Sequence, residues 1–176
     1  MRSIFTVLVV SLCMVSCVID SGSDDYGSGL LESGTVAPDF TVSSSDSVSF
    51  KLSSLRGSYV LIEFWASWCP DCQKAMPMTK QIYETYAPMG LVMLGVSFDN
   101  DKKQWQEYIE ENGLDWIQHI EEKPWKESEV ADEYNIKWIP TYYLIAPDGR
   151  VDFATVDVEA MADTLSVRIK GQELLI

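Results

Sequence analysis

The chain has 176 residues and a formal net charge of −14, with 13 basic against 27 acidic side chains. That length suits one globular domain with a tail, and a hydrophobic content of 47%, with six Trp and eight Tyr, supplies a packed core. A polyanion of this kind has no surface for phosphate backbones, which excludes nucleic acid as a partner; its acidity reports solubility and repulsion from anionic surfaces.

Residues 1–16 read as an export signal rather than as part of the fold. Arg2 supplies a minimal basic start, residues 4–12 are a short apolar run, and Met14-Val15-Ser16-Cys17 resembles a bacterial lipobox, cut before a lipid-modified cysteine. Three readings compete: a lipoprotein signal with Cys17 lipidated, an ordinary cleaved signal, and an uncleaved anchor. The lipobox favours the first, and the third needs about 20 apolar residues, more than this run holds. Residues 17–33 follow as a linker. Asp20-Ser21-Gly22-Ser23-Asp24-Asp25-Tyr26-Gly27-Ser28-Gly29 is acidic and rich in Gly and Ser, too polar to offset its chain entropy by burial. It reads as a tether holding a folded domain, residues 34–176, off a membrane.

From there strands and helices alternate. Residues 40–42 and 48–52 are short strands around a Ser/Asp turn. Residues 59–65 are a central strand, a nearly unbroken apolar run of the kind buried in parallel sheets. Residues 70–86 form a helix in which Pro77 interrupts the hydrogen-bond ladder. Residues 91–98 are a second apolar strand, and Asp101 opens a helix that Gly113 ends. A short extended piece covers 116–120 and a short helix 127–134. Strands at 141–146 and 150–155 flank the Pro147-Asp148-Gly149 turn, and an amphipathic helix over 158–169 closes the chain. This order describes an α/β domain with a central mixed sheet and helices on both faces.

The chemistry sits in Trp68-Cys69-Pro70-Asp71-Cys72. A cysteine at a helix N-terminus has its thiolate stabilised by unpaired N–H groups and the helix dipole. Cys69 is placed to attack a substrate disulfide, and Cys72, one turn later, to resolve the mixed disulfide. Of four cysteines, Cys13 falls in the signal and Cys17 takes the lipid, which leaves no pair for a structural disulfide. A zinc site needs two further Cys or His ligands, and the folded part offers only His119, read here as a surface residue. Glu121, Glu122, Glu127 and Glu129 read as a solvated face. The redox pair calls for no cofactor and no metal.

Several segments together resemble the thioredoxin superfamily, and within it the membrane-tethered TlpA/ResA-like thiol–disulfide oxidoreductases, over residues 34–165. They are Ala37-Pro38-Asp39-Phe40, Leu52-Ser53-Ser54-Leu55-Arg56-Gly57, Phe64-Trp65-Ala66-Ser67-Trp68-Cys69-Pro70-Asp71-Cys72, Pro77, and Trp138-Ile139-Pro140-Thr141. The resemblance implies a thioredoxin-like fold with an N-terminal strand extension and an internal helical insertion at residues 104–134. It implies that the bond before Pro140 is cis, that the Ile139 backbone faces the cysteines and pairs with an incoming peptide, and that Trp68 and Pro70 flank the substrate. Trp65 and Trp138 belong to the same rim, or Trp65 to the core. It also places a carboxylate, Glu63, under the disulfide, where burial raises its pKa and lets it accept the Cys72 proton; a solvent-facing Glu63 is the alternative.

Two other classes share parts of this pattern. A peroxiredoxin-like thiol peroxidase has the same fold but needs a peroxidatic cysteine held by Thr and Arg. A copper-delivery protein of this fold typically separates its cysteines by three residues and adds a histidine. The reading adopted is a reductase of protein disulfides. Asp71 beside the pair opposes the thiolate and so disfavours the reduced form. The implied setting is the bacterial cell envelope, lipid-anchored to a membrane through Cys17, with the domain facing the periplasm or the exterior. The implied partners are disulfide-containing envelope proteins, apocytochrome c among them, and a membrane thiol-transfer protein as electron donor.

Overall fold

The structure is a computed structural model that describes residues 26–44 and 49–169; the predicted export signal, Cys17 and the acidic stretch as far as residue 25 lie outside the described residues. In chain order the elements are β1 (Thr41–Ser43), β2 (Ser49–Lys51), β3 (Val60–Trp65), α1 (Pro70–Tyr86), β4 (Val92–Ser97), α2 (Lys102–Asn112), β5 (Ile117–Ile120), α3 (Glu129–Glu133), β6 (Thr141–Ile145), β7 (Val151–Thr155) and α4 (Val158–Arg168). β1 and β2 pair as an antiparallel hairpin, and the other five strands form one sheet in the order β5-β4-β3-β6-β7.

β3 is the centre of that sheet, parallel to β4 and antiparallel to β6. All six of its residues are buried, which explains its apolar run and makes Glu63 the exception that needs a reason. The steps from β3 to β4 and from β4 to β5 go in the same direction across parallel strands. Right-handed crossovers therefore put α1 and α2 on one face, where Lys80 Nζ donates to Asn112 O at 2.7 Å. α4 packs on α1, β6 and β7. The opposite face carries Phe64, which meets Phe98, Tyr134 and Tyr143 at ring-centroid distances of 6.0, 5.1 and 6.0 Å.

Local chemistry sets the helix ends. Asp101 caps α2, accepting from Lys103 N and Gln104 N, and Gly113 ends it at φ 58°, a left-handed conformation that favours glycine. α1 runs unbroken through Pro77. The helix expected over 127–134 divides into a 3-10 turn, Trp125–Glu127, and α3. Ser128 separates them, because its Oγ caps Ala131 N at 3.1 Å.

The described part of the expected linker, residues 26–33, lies against the domain. Leu30 and Leu31 pack on the core, Leu31 N donates to Tyr143 Oη at 3.1 Å, and the Tyr26 ring stacks on Trp138 at 4.0 Å. The two adjacent leucines supply the apolar surface that the preceding Gly/Ser stretch lacks. Gly34 N then donates to Val151 O and Val151 N to Thr35 O, both at 2.8 Å. This covers the free edge of β7, which would otherwise invite pairing with another chain. Asp39 accepts from Ser53 N and Ser53 Oγ, each at 2.9 Å, so two of the segments that carry the resemblance meet in space.

Candidate active site

β3 ends at Trp65, and the turn Ala66-Ser67-Trp68 delivers the chain to α1. Cys69 is the N-cap of that helix and Pro70 its first residue, where a missing N–H costs nothing and φ is already helical. Cys72 N donates to Cys69 Sγ at 3.4 Å, so the first thiol occupies the place where a serine or aspartate would cap. Both cysteines are free thiols and both are buried, Cys69 at 6% exposure and Cys72 at 0%. Burial pushes the Cys72 thiol well above the ordinary thiol range, and its hydrogen bond to Cys69 pushes it further.

The turn is held by a residue that sequence reading passed over. Asp99, 1% exposed, accepts from Ser67 N at 2.9 Å, Ser67 Oγ at 2.7 Å and Ser97 Oγ at 2.6 Å. Gln73 Nε2 donates to Ser67 O at 2.7 Å. Every polar group of Ser67 is thus engaged, and hydrogen bonds to a buried carboxylate are the strong kind, roughly 1.5–3 kcal/mol each. One signal pointed there: the carboxyl ends of neighbouring parallel strands converge on the site in open α/β sheets, and Asp99 follows β4 as Ser67 follows β3.

Glu63 is fully buried and points to the α1 face. Its Oε1 accepts from Thr79 Oγ1 and Tyr142 Oη, both at 3.4 Å, and those two hydroxyls lie 3.1 Å apart. Burial raises the Glu63 carboxyl from 4.5 to about 8, against the opposing pull of the Tyr142 and Thr79 hydrogen bonds. The Glu63 charge is in turn one of the groups that raises Cys72.

Across from the thiols, the Ile139–Pro140 bond is cis, and Cys69 Sγ donates to Ile139 O at 3.5 Å. Trp68 is 51% exposed beside the pair, and Pro70 and Asp71 are exposed. Asp71, Ala75, Met78, Trp138, Pro140 and Asp157 line a groove that runs from the first turn of α1. Trp65 is 0% exposed and belongs to the core.

Two expectations are corrected. His119 is buried at 6% exposure: it bridges to Ser44 of the hairpin segment, its Nε2 lies 3.0 Å from Glu121 Oε1, and Ser43 N donates to Nδ1 at 3.2 Å. Glu121 is drawn in with it. Its side chain is 11% exposed and accepts from Ser128 Oγ at 2.8 Å, and the His119 hydrogen bond holds its carboxyl below the usual range. The hairpin covers this end of β5, which sequence spacing did not reveal. Among the described residues no group of three or more His, Cys, Asp or Glu is placed to hold a metal.

A free Cys-x-x-Cys pair capping a helix at the end of a central strand, opposite a cis-proline loop and above a buried acid, defines a thioredoxin-fold dithiol protein. The AhpC/TSA family matches residues 33–154. The thiol-disulfide oxidoreductase ResA of Oceanobacillus iheyensis is 31% identical over 150 residues, 82% of this chain and 74% of that protein. Among solved structures, the thioredoxin domain of a thiol-disulfide oxidoreductase from Bacteroides vulgatus superposes with a TM-score of 0.72 at 27% identity, covering 79% of this chain and 99% of that one. A thiol-disulfide oxidoreductase from Bacteroides fragilis gives 0.69 at 30% identity, covering 77% and 98%. The chain belongs to the AhpC/TSA family of the thioredoxin superfamily, and within it to the ResA-like thiol–disulfide oxidoreductases. Its activity is thiol–disulfide exchange.

Proposed function

We propose that this oxidoreductase reduces protein disulfides in the bacterial cell envelope, with Cys69 as the attacking thiol, Cys72 as the resolving thiol and Glu63 as the proton acceptor. The observation that carries the reading is the pair's position: Cys69 at the N-cap of α1 and Cys72 buried over the Glu63 carboxyl. In the reaction, Cys69 thiolate attacks one sulfur of the substrate disulfide, and the other leaves as a thiolate that takes a proton from solvent. Glu63 takes the Cys72 proton, Cys72 thiolate attacks Cys69 Sγ, and the second substrate thiol is released. The protein ends with a Cys69–Cys72 disulfide and two electrons have passed to the substrate. Trp68, Pro70 and the Ile139-Pro140 backbone would seat the incoming peptide.

Residues 1–16 are proposed as a lipoprotein signal, Cys17 as the lipidated residue and, of the expected linker 17–33, the part before residue 26 as the tether, since residues 26–33 lie against the domain; the domain then works at a membrane surface facing the periplasm or the exterior. No helix among the described residues is long and apolar enough to cross a membrane. The proposed electron donor is a membrane thiol-transfer protein, and the proposed substrates are envelope proteins with accessible disulfides, apocytochrome c cysteines among them. The test is a Cys72→Ala variant expressed with its export signal. Mixed disulfides through Cys69 should accumulate in the membrane fraction and identify the substrates, and reduced wild-type protein should reduce insulin. Absence of any Cys69-linked adduct, or consumption of peroxide with no insulin reduction, would overturn the reading.

A further inference from the structure

Strand register places four residues in one row across the sheet: Tyr142 opposite Glu63, Glu63 opposite Gly95, and Gly95 opposite Gln118. Directly paired residues project to the same face, so this row lies under α1 and α2. Gly95 leaves a gap in the row, and Gln118 fills it from β5. A methyl group on Gly95 would overlap Gln118 Oε1 and stand 2.9 Å from Trp65 Nε1. The Gln118 amide therefore crosses above Gly95 toward β3, where Glu63 and Trp65, two residues apart, share that face.

Six buried side-chain polar atoms have no hydrogen-bond partner among the described residues, and four of them belong to this group: Glu63 Oε2, Trp65 Nε1, Gln118 Oε1 and Gln118 Nε2. Gln118 is 1% exposed. Interiors satisfy nearly all such atoms, and leaving one unpaired is costly. An apolar side chain of the same length would avoid that cost. A buried amide with both ends free, lying over Gly95 in the row that also holds a carboxyl with a free oxygen, points to a functional link between them.

We propose that Gln118 is a positioning residue for Glu63: its amide, with the Trp65 indole N–H, hydrogen-bonds the Glu63 carboxyl as that group gains and loses the dithiol's proton. This rests on the reading of Glu63 as proton acceptor. An amide suits the role because it serves both states: Nε2–H donates to the ionised Oε2, and Oε1 accepts from the protonated acid. A lysine or an aspartate in the same place would favour one state only. The link needs rotation about the Gln118 side-chain bonds or one bridging water, and the test reads either. The other titratable groups facing Glu63 are Cys72 from α1, Tyr142 from β6 and Tyr108 from α2.

Gln118→Met keeps the length and removes the amide. Donation to an ionised carboxylate is the stronger of the two bonds, so its loss should move the Glu63 titration upward by about one pH unit and slow exchange at neutral pH about tenfold. In a Glu63→Gln background the same substitution should change the rate less than about twofold. A folded Gln118→Met protein with an unmoved Glu63 titration, or with equal slowing in both backgrounds, would overturn the proposal. The wild-type protein gives a reading independent of folding. The Gln118 side-chain amide resonances should shift with pH along the Glu63 titration, and resonances that stay flat through it would also overturn the link. If Glu63→Gln exchanges at the wild-type rate and pH profile, the proton-acceptor reading fails instead, while the amide titration still decides whether the two side chains are joined.

Discussion

The two faces of the central sheet follow opposite rules. Under α1 and α2, β3 presents Glu63 and Trp65 to a row that holds a buried carboxyl, two tyrosine and threonine hydroxyls and an amide. Three residues of this face, Glu63, Trp65 and Gln118, keep polar atoms unpaired. On the other face the same strand presents Phe64 to Phe98, Tyr134 and Tyr143. There the polar tips are satisfied: Tyr134 Oη donates to Pro38 O at 2.8 Å and Tyr143 Oη to Tyr134 O at 2.6 Å. One face holds the fold together and ties down the N-terminal segment. The other keeps buried polar atoms unpaired at a cost in stability, and the proposed proton transfer through Glu63 gives that cost a purpose. Alternation along six residues is enough to separate the two tasks.

Substitutions on the two faces should therefore fail differently. The largest effect belongs to the thiols. Cys69→Ser should abolish exchange, while Cys72→Ser should stop after one turnover with substrate attached, each leaving the melting temperature within a few degrees of wild type. The order rests on Cys69 being the capping, less buried thiol. Faster alkylation of Cys72 than of Cys69 in the reduced protein would reverse it.

Next is the aromatic face. Phe64→Ala removes a fully buried ring that touches three others, and should cost about 3–5 kcal/mol in denaturant unfolding. The reduction potential of the protein that remains folded should stay where it was. A shift of the potential in that variant would show that the two faces are not separate.

Glu63→Gln should do the reverse. Exchange at neutral pH should slow by roughly a hundredfold, in the range for loss of a positioned proton acceptor, while stability rises. Folding raises this carboxyl from 4.5 to about 8. Between those values the folded state holds a proton that the unfolded state has released, so wild-type stability falls as pH rises from 4.5 through about 8. The variant should lack that decline, and its advantage should be on the order of a few kcal/mol by pH 9. Parallel stability–pH curves for the two proteins would mean that the carboxyl is not buried in solution.

Much of this was legible in the sequence, for identifiable reasons. The Cys-x-x-Cys pair, its helix and the Ile139-Pro140 loop are contiguous signals whose local chemistry dictates local geometry. Glu63 stood out as the charge inside an apolar strand. Asp99 and Gln118 did not stand out, because each acts across the sheet: what Asp99 holds is set by the alignment of β3 and β4, and what Gln118 meets by the pairing of β4 with β5 and the bareness of Gly95. Sequence spacing carries no register between strands. His119 and Glu121 were misjudged for a related reason. A hairpin far away in the chain covers them, and an alternating polar strand such as Ile117–Ile120 reads the same whether one face meets water or a neighbour.

The smallest effect expected is at Asp71, and it tests whether a charge on the site's surface tunes the dithiol. Asp71 is exposed in the first turn of α1 and borders the groove beside the thiols. If its charge reaches the dithiol, it disfavours the reduced state and makes the protein a better electron donor. Asp71→His removes the carboxylate and supplies an imidazole that is partly protonated near neutral pH; both changes favour the thiolate, so the disulfide becomes easier to reduce and the potential rises. Each tenfold change in the equilibrium constant is about 30 mV for this two-electron couple. Solvent screening limits an exposed charge to fractions of that interaction at ordinary ionic strength, so a rise of a few tens of millivolts in a glutathione titration is the expected scale, shrinking as salt is added. Salt dependence separates this surface contribution from the buried one, since Glu63 lies beyond the reach of counterions. A potential that falls, or does not move, would mean that Asp71 does not set it.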